Sequence, residues 1–322
     1  MSLLYGTVVR ARIWLYAHGW LKQKRLKGTV ISVGNLTVGG TGKTPMVIWL
    51  AEKFLAEGKQ VAILSRGYRG THGTSDEIEL MKSRLRGRVT FGVGSNRFDE
   101  GQRLESRQRI DVFLLDDGFQ HLQLARDLNI LLMDASRPLG GEALLPAGRL
   151  REPLTAMSRA NLIIFTRAET ASGTLEAIGK LEKYPVFAAS TRLLGFRRFA
   201  GEINLLRADE IGDGPFFAFC GLGNPGAFFH DLGNWGLKVC GHAVFRDHHR
   251  YTERDIAAVR QAGKQAGANA FVTTEKDAQN LNAIKLEGTP LYVAVIDVVV
   301  TPEADFRSVL DQTIAAGAGA AA

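Results

Sequence analysis

Short apolar runs alternate with segments of helical periodicity along most of the chain. In the first half, the runs at 28–34, 60–67, 88–94, 110–118, 128–135 and 160–167 have the length and composition of buried strands. Segment 45–57 follows the first of these runs and has the spacing of a helix. Continuous apolar strands separated by helices are typical of a parallel sheet that is covered on both faces. We therefore predict an α/β fold with a mostly parallel sheet and helices on both sides.

The alternation of apolar runs and helical segments becomes less regular after residue 168 and then resumes. Further strands are predicted at 185–191, 214–221, 237–245, 269–274 and 289–296. They indicate a second, smaller α/β domain, so we assign 28–190 to the first domain and 191–314 to the second. The last residues, 315–322, offer nothing large to bury and are predicted to be disordered.

Residues 1–27 are predicted to form a separate, basic amphipathic helix. Residues 3–21 are apolar and aromatic, with Arg10 and Arg12 among them, and four more basic residues follow by Lys27. Such a helix suits a membrane surface, with aromatic rings at headgroup depth and cations facing anionic lipid. Two alternatives are a helix packed on the protein's own body and a targeting segment. No uncharged apolar run reaches the roughly 18 residues that a membrane span needs.

Length, charge distribution and cysteine count exclude some classes of protein. The 322 residues suit about two domains. The net charge of +7 is local, because residues 1–51 contain seven basic residues and no acidic one. Proteins that coat nucleic acid spread their basic residues over a domain face, so we expect no nucleic-acid partner. Two cysteines, Cys220 and Cys240, exclude a disulfide framework and favour a reducing compartment.

Residues 28–50 contain a strand, a glycine-rich loop, Gly-Lys-Thr and a helix, in that order. The candidate nucleotide-binding residues of this loop are Thr37, Val38, Gly39, Gly40, Thr41, Gly42, Lys43 and Thr44. Glycines let backbone N–H groups turn toward phosphate oxygens, Lys43 supplies a cation, and the Thr44 hydroxyl suits Mg²⁺. The strict phosphate-loop pattern has glycine where Thr37 stands, and a plain structural turn is the alternative.

The predicted strand 110–118 ends in Asp116 and Asp117. An apolar strand that ends in acidic residues beside a phosphate loop is where Mg²⁺ is held, so both carboxylates are candidate metal ligands together with Thr44. A turn-forming Asp-Asp-Gly is the alternative. Recognition of GTP is not supported, because TTEKD (273–277) has the letters of the guanine motif in a different order.

The second domain contains two weaker signals. GLGNPG (221–226) has the letters of a dinucleotide fingerprint, but Pro225 favours a tight strand-to-helix turn. Four histidines lie close to Cys240 in the sequence, namely His230, His242, His248 and His249, and their spacing matches no zinc pattern. His248 follows a predicted strand, where α/β folds place chemistry, so it is either a base or a solvated loop residue.

Seven strings together resemble the tetraacyldisaccharide 4′-kinase (lipid A 4′-kinase) family. They are VGNLTVGGTGKTP (33–45), SRGYRG (65–70), LDDGFQHLQLARDLNILLMDA (115–135), LLPAGRLREP (144–153), FCGLGNPGAFF (219–229), FRDHHRYT (245–252) and VTTEKDA (272–278). The resemblance implies a P-loop NTPase-like fold that uses ATP and Mg²⁺ to phosphorylate the 4′-hydroxyl of an acylated glucosamine disaccharide 1-phosphate, giving lipid IVA. It also implies work at the cytoplasmic face of the bacterial inner membrane, with the N-terminal helix docked on the bilayer. We expect a monomer.

The resemblance also implies roles for particular residues. His248 matches a histidine that pairs with an aspartate to form the catalytic base. Asp76 is the candidate aspartate in GTSDEIELM (73–81), although Ser75 and Ile78 depart from the family's Gly-Asp-Glu-Pro. Because Asp76 and His248 fall in different predicted domains, the pairing predicts closure of the two on ATP binding. Candidate contacts to the lipid substrate are Arg66, His121, Arg149 and Glu152, of which Arg149 stands where the family more often has proline.

Two other functions have testable signatures. A P-loop kinase for a small metabolite would survive deletion of residues 1–26 and need no lipid. A ParA-like ATPase would hydrolyse ATP without phosphorylating a sugar and would dimerise with ATP.

Overall fold

The computed structural model describes residues 1–67, 75–136, 143–168, 181, 183–201, 204–281 and 290–319. Residues 68–70 of the string SRGYRG and residues 73–74 of the string GTSDEIELM lie outside these ranges. The chain divides into two units, Met1–Thr191 with Val298–Ala322 and Arg192–Asp297. The second unit therefore ends earlier than the predicted domain 191–314, because the chain returns to the first unit at Val298.

The strands and helices occupy most of the predicted positions. The strands are β1 (Thr29–Gly34), β2 (Val61–Ser65), β3 (Thr90–Val93), β4 (Val112–Asp116), β5 (Leu128–Asp134), β6 (Leu162–Thr166), β7 (Val186–Arg198), β8 (Phe216–Cys220), β9 (Val239–Val244), β10 (Ala270–Thr274) and β11 (Leu291–Thr301). The helices are α1 (Ser2–Ala17), α2 (Lys43–Ala56), α3 (Asp76–Leu85), α4 (Arg97–Glu105), α5 (Pro225–Asn234), α6 (Glu253–Gln265), α7 (Glu275–Asn280) and α8 (Glu303–Gly319).

The first unit is built on a parallel sheet. Its strands lie in the order β3-β2-β4-β1-β5-β6-β7, and the pairs from β3 to β7 run parallel. Val33 of β1 lies opposite Asp116 of β4. This register brings the start of the phosphate loop and the acidic strand end together at the carboxyl edge of the sheet, where α/β folds bind ligands.

Helices cover both faces of this sheet. On one face α2 buries Met46, Val47 and Leu50 against the strands, and Phe306 of α8 packs edge-on against Trp49. On the other face α4 and a 3₁₀ turn at Leu154–Arg159 cover the strands. The predicted mostly parallel sheet with helices on both faces is confirmed.

The second unit repeats the plan on a smaller scale. Its strands lie in the order β11-β10-β8-β9 and pair in parallel. Phe228 and Leu232 of α5 pack on one face, and Ile256 and Val259 of α6 pack on the other. The unit therefore has an apolar core on each side of its sheet.

Both ends of the chain differ from prediction. Helix α1 ends at Ala17, followed by Gly19 with a φ of 73°, so residues 18–27 do not continue the predicted helix. At the other end α8 extends to Gly319, so the predicted disordered tail is wrong for residues 315–319. Among the described residues, no helix combines the length and the apolar character that crossing a membrane requires.

Candidate active site

The phosphate loop joins β1 to α2. Gly39 and Gly42 have φ values of 115° and 78°, in the left-handed region that favours glycine. Helix α2 begins at Lys43, and no side chain caps its first turn. The Thr41 hydroxyl oxygen is buried without a hydrogen-bond partner among the described residues. The first backbone N–H groups of α2 point toward the loop. A phosphate group that accepts hydrogen bonds from these N–H groups and from the Thr41 hydroxyl would satisfy both, so the loop fits a nucleotide.

Segment 144–151 runs beside the loop and fixes its backbone. Thr37 and Leu150 form an antiparallel bridge. The Val38 amide donates to the Arg149 carbonyl at 2.8 Å, and the Arg149 guanidinium donates to the Val38 carbonyl at 3.0 Å. Arg149 therefore holds the phosphate loop in place, and its predicted contact with substrate remains a prediction.

A second clamp on the loop was not expected from the sequence. Arg167, just after β6, forms an ion pair with Asp134 at the end of β5 and donates to the Gly40 carbonyl at 2.9 Å. Both residues stand at carboxyl ends of parallel strands, which is the sequence signal that points to them.

Lys43 is a partly buried cation among carboxylates. Its Nζ lies 3.2 Å from Asn35 Oδ1 and 3.6 Å from Asp117 Oδ1. Burial, together with the charge of Arg151, lowers the pKa of Lys43, while nearby carboxylates led by Asp117 oppose the shift. The ammonium group is thus largely withdrawn from water beside the loop, where phosphate oxygens would replace lost solvation.

Asp116 and Asp117 are adjacent but have opposite environments. Asp116 is buried, with Oδ1 lacking a partner among the described residues, and burial followed by repulsion from Asp117 raises its pKa to about 7. Asp117 accepts from both Arg151 nitrogens at 2.7 and 2.8 Å. Burial alone would raise the pKa of Asp117, but Lys43 and Arg151 outweigh it and lower the pKa to about 2. The unpartnered Asp116 oxygen fits a hard divalent cation, and the metal role of Thr44 remains a prediction.

The raised pKa of Asp116 gives a testable pH dependence of stability. The folded state holds the proton of the Asp116 carboxyl group more tightly than the unfolded state does. Binding of this proton therefore stabilises the folded state fully below about pH 4, and this contribution is lost as pH rises through about 7. With metal removed, the free energy of unfolding of the wild type should fall between about pH 5 and pH 8 relative to Asp116→Asn. Urea denaturation at pH 5 and pH 8 measures the free energy of unfolding of the wild type and of Asp116→Asn.

Asp111 supplies the matched control for that experiment. It precedes β4, and hydrogen bonding from the Gln60 amide lowers its pKa, so it titrates below the tested range. Asp111→Asn should change stability by the same amount at both pH values. Parallel pH profiles for the wild type and Asp116→Asn would contradict the assigned environment of Asp116.

His121 lies beside Arg97, a residue to which no sequence motif pointed. The Arg97 guanidinium is 3.4 Å from His121 Nδ1, and since arginine only donates, the histidine proton belongs on Nε2. Burial and then the Arg97 charge lower the pKa of His121 to about 4, so it is neutral at physiological pH. The exposed Arg66 is another charge that acts on both residues. Arg66 therefore lies close enough to His121 for its charge to lower the pKa of this histidine.

Glu152 is buried and already engaged within the protein. Its carboxylate accepts from Arg159 at 2.5 Å and from Gln120 Nε2 at 3.4 Å. The Arg159 guanidinium in turn lies over the Phe119 ring, 4.7 Å from its centroid. The predicted contact of Glu152 with substrate remains a prediction.

Asp76 opens helix α3. Ser75 caps this helix by accepting from the Ile78 amide at 3.4 Å, and Asp76 Oδ1 accepts from the Glu77 amide at 3.2 Å. The charge of Glu77 influences the pKa of Asp116 and of Lys43. The amino end of α3 therefore lies near Lys43 and Asp116, and the serine cap fixes the residue at which this helix begins.

His248 lies in the second unit, in the loop after β9, and is exposed. Its φ of 60° is unusual for a residue with a side chain. The neighbouring His249 has a structural environment instead, since it stacks on Phe245 and its Nε2 lies 3.1 Å from Asp255 Oδ2. Among the described residues of this unit, the clustered histidines and Cys240 form no group that could hold a metal.

A parallel sheet, a phosphate loop with its lysine, and an acidic strand end beside that loop define a P-loop nucleotide-binding protein. Residues 1–315 match the family model described as tetraacyldisaccharide-1-P 4′-kinase, LpxK. The chain belongs to this family.

Similar proteins agree over nearly the full length. Tetraacyldisaccharide 4′-kinase of Geobacter sulfurreducens is 39% identical, covering 97% of this chain and 92% of the relative. The enzyme of the same name from Geobacter metallireducens is 38% identical, covering 98% and 96%. The crystal structure of LpxK from Aquifex aeolicus in complex with ATP is 30% identical, with a TM-score of 0.75 and 97% of each chain covered.

Proposed function

We propose that this chain transfers the γ-phosphoryl group of ATP to the 4′-hydroxyl of tetraacyldisaccharide 1-phosphate, giving lipid IVA. The observation that carries the proposal is the family match over residues 1–315, on a chain whose phosphate loop, Lys43 and acidic strand end are all in place. The full-length relatives bear the name of this activity, and the similar crystal structure holds ATP.

The residues of the first unit would do most of the work by positioning and charge. Lys43 and the loop amides would hold the β- and γ-phosphates, which spreads the charge that develops during transfer. Mg²⁺ would be held by Thr44 and Asp116, with Asp117 close by, and supplies further neutralisation of the phosphate charge when it is bound. Arg151 would keep Asp117 ionised and in place through its two hydrogen bonds.

A sugar hydroxyl is barely ionised at neutral pH, so its attack on phosphorus needs a proton acceptor. We assign this role to His248, with Asp76 as the carboxylate that orients the imidazole. Support comes from the match of His248 to the family motif, and from its exposed position in a loop beyond the end of a parallel strand. Asp76 is the candidate aspartate, in a segment that departs from the family motif at Ser75 and Ile78.

The activity is tested by following label from γ-³²P-ATP into lipid in detergent micelles. We expect labelled lipid when the acylated disaccharide 1-phosphate is the acceptor. Deacylated disaccharide and free glucosamine should accept little label, because they lack the acyl chains that locate the substrate at an interface. Release of labelled phosphate without labelled lipid would favour the ATPase alternative, and labelling of the small sugars would favour a metabolite kinase.

We propose further that α1 docks the enzyme on the cytoplasmic face of the inner membrane. Leu3 of α1 is 86% exposed, and Trp20, just beyond the end of this helix, is 74% exposed. Large apolar side chains exposed together in this way mark a surface that contacts something other than water. Gly6 anchors the helix against Leu144, and the Tyr5 hydroxyl donates to the Arg151 carbonyl at 2.9 Å. The helix is thus fastened by one side and leaves apolar residues free for lipid.

Replacing Leu3 and Leu4 together by glutamine should weaken binding to phosphatidylglycerol-containing vesicles by about tenfold, because less apolar surface is buried in the interface. Co-sedimentation with vesicles measures the effect. Leu205→Gln is the matched control, since Leu205 is also exposed but lies in the second unit. Equal binding of both variants and the wild type would rule out docking through α1.

A further inference from the structure

Two arginines hold carbonyl groups of the phosphate loop, and each comes from a different neighbouring segment. The Arg149 guanidinium donates to the Val38 carbonyl at 3.0 Å. The Arg167 guanidinium donates to the Gly40 carbonyl at 2.9 Å. Both contacts are made to the backbone, so they fix the direction of a peptide group and not of a side chain.

These two contacts also set the direction of two backbone N–H groups. The peptide bonds that join Val38 to Gly39 and Gly40 to Thr41 are trans. In a planar trans peptide the C=O and the N–H point in opposite directions. Since the carbonyl of each peptide faces an arginine, the N–H of the following residue, Gly39 or Thr41, points away from that arginine.

The surroundings of these N–H groups fit a bound phosphate. Thr41 is 2% exposed, and its hydroxyl oxygen has no hydrogen-bond partner among the described residues. Gly39 has a φ of 115°, and a Cβ at this position would lie 3.1 Å from an Arg149 guanidinium nitrogen. Glycine therefore allows both the backbone conformation and the close approach of the arginine. Successive N–H groups that point to one side of a loop form a site for phosphate oxygens.

Arg167 is held in place by the ends of two strands. It directly follows β6 with a φ of 57°, which is uncommon for a residue with a side chain. One guanidinium nitrogen forms an ion pair with Asp134 at the end of β5, while another holds the Gly40 carbonyl. The other Asp134 oxygen accepts from the Ser136 amide at 3.0 Å and from the Ser136 hydroxyl at 2.6 Å. The planar guanidinium thus connects a fixed carboxylate to the loop.

We infer that Arg149 and Arg167 are positioning residues that prepare the phosphate loop for ATP. Each holds one carbonyl on the outer side of the loop, so that the N–H groups of Gly39 and Thr41 face the phosphates before the nucleotide binds. A loop that is already oriented loses less conformational freedom on binding, which raises affinity. The inference rests on the proposed use of ATP by this loop. The role of Arg149 is independent of its predicted contact with the lipid.

Titration calorimetry with the non-hydrolysable analogue AMP-PNP and Mg²⁺ measures what each arginine contributes to nucleotide binding. Arg149→Met and Arg167→Met keep an aliphatic side chain but remove the donor. We expect the Kd of each variant to rise about tenfold, because one N–H group is no longer directed at the phosphates. Arg103→Met is the matched control, since Arg103 is an exposed arginine of α4 that pairs with Glu100. Its Kd should equal that of the wild type.

A lysine variant separates the orientation of a peptide from simple attraction of the phosphates. Arg167→Lys keeps the positive charge beside Asp134, but an ammonium group lacks the planar fork that reaches the Gly40 carbonyl at the same time. We expect this variant to bind AMP-PNP nearly as weakly as Arg167→Met, with an unchanged circular dichroism spectrum. Wild-type affinity in Arg167→Lys would show that charge alone is sufficient and would overturn the inference.

Amide resonances test the assignment of each arginine to one peptide. In protein labelled with ¹⁵N-glycine and ¹⁵N-threonine, saturating AMP-PNP should shift the N–H resonances of Gly39 and Thr41 in the wild type. In Arg149→Met the Gly39 shift should become smaller while the Thr41 shift remains. In Arg167→Met the Thr41 shift should become smaller while the Gly39 shift remains. Equal effects of the two variants on both resonances would contradict the assignment.

The outcomes distinguish this inference from the proposed function. If the wild type binds AMP-PNP with both amide shifts but transfers no phosphate to lipid, the proposed function fails and the inference on the loop stands. If the wild type phosphorylates lipid while both methionine variants bind AMP-PNP as tightly as the wild type, the inference fails and the proposed function stands.

Discussion

Lys43→Met is expected to lower kcat by about 10³-fold or more while leaving the protein folded. The substitution keeps the aliphatic stem but removes the cation that would neutralise the β- and γ-phosphates, and charges placed at a transferring phosphoryl group contribute on this scale. Asp117 keeps its two hydrogen bonds to Arg151, so the loss of Lys43 does not leave the Asp117 carboxylate without a partner. Single-turnover phosphorylation of the lipid measures the effect, and circular dichroism checks the fold.

Lys53→Met is the matched control for this variant. Lys53 lies on the same helix, but at its partly exposed end, where it pairs with Glu303. Surface pairs of this kind contribute at most about 1 kcal/mol to stability, so activity should not change. If Lys43→Met retained even a tenth of the wild-type kcat, the loop would not be acting as a phosphate-binding catalytic element.

His248→Ala is expected to lower kcat by about 10²- to 10⁴-fold, the range of a general base, with little change in ATP affinity. Asp76→Asn should cause a smaller loss, and the double variant should be no worse than His248→Ala, because the two residues are proposed to act as one unit. Steady-state kinetics with saturating ATP and lipid separates kcat from KM.

His230→Ala provides the comparison, since His230 is an exposed histidine of the same unit, on α5. It should retain wild-type kinetics. A kcat for His248→Ala within about threefold of the wild type, which corresponds to roughly 0.65 kcal/mol in activation free energy, would exclude the proposed base.

The local part of the fold is readable from the sequence. Strand-sized apolar runs and the glycine positions of the phosphate loop depend on neighbouring residues, and β1, β4 and α2 lie where they were expected. The return of the chain to the first unit was missed, because Phe306 of α8 is buried against Trp49, some 250 residues away, and periodicity does not reveal such partners.

The candidate site could likewise be predicted only where its residues belong to local sequence motifs. Lys43, Thr44, Asp116 and Asp117 follow from a loop and a strand end that can be read locally. Arg151 and Arg167 were not singled out, because charged residues in loops are usually solvated and nothing local shows that they reach Asp117 or the Gly40 carbonyl. Contacts of this kind depend on how distant loops converge at the sheet edge.

The most direct test of the central claim is the structure of the product formed from ATP and tetraacyldisaccharide 1-phosphate. Mass spectrometry and ³¹P NMR of the purified lipid identify both the number and the positions of its phosphates. We predict one added phosphate monoester, on the 4′-oxygen, with the 1-phosphate unchanged. Unmodified lipid, or a pyrophosphate formed at position 1, would contradict it.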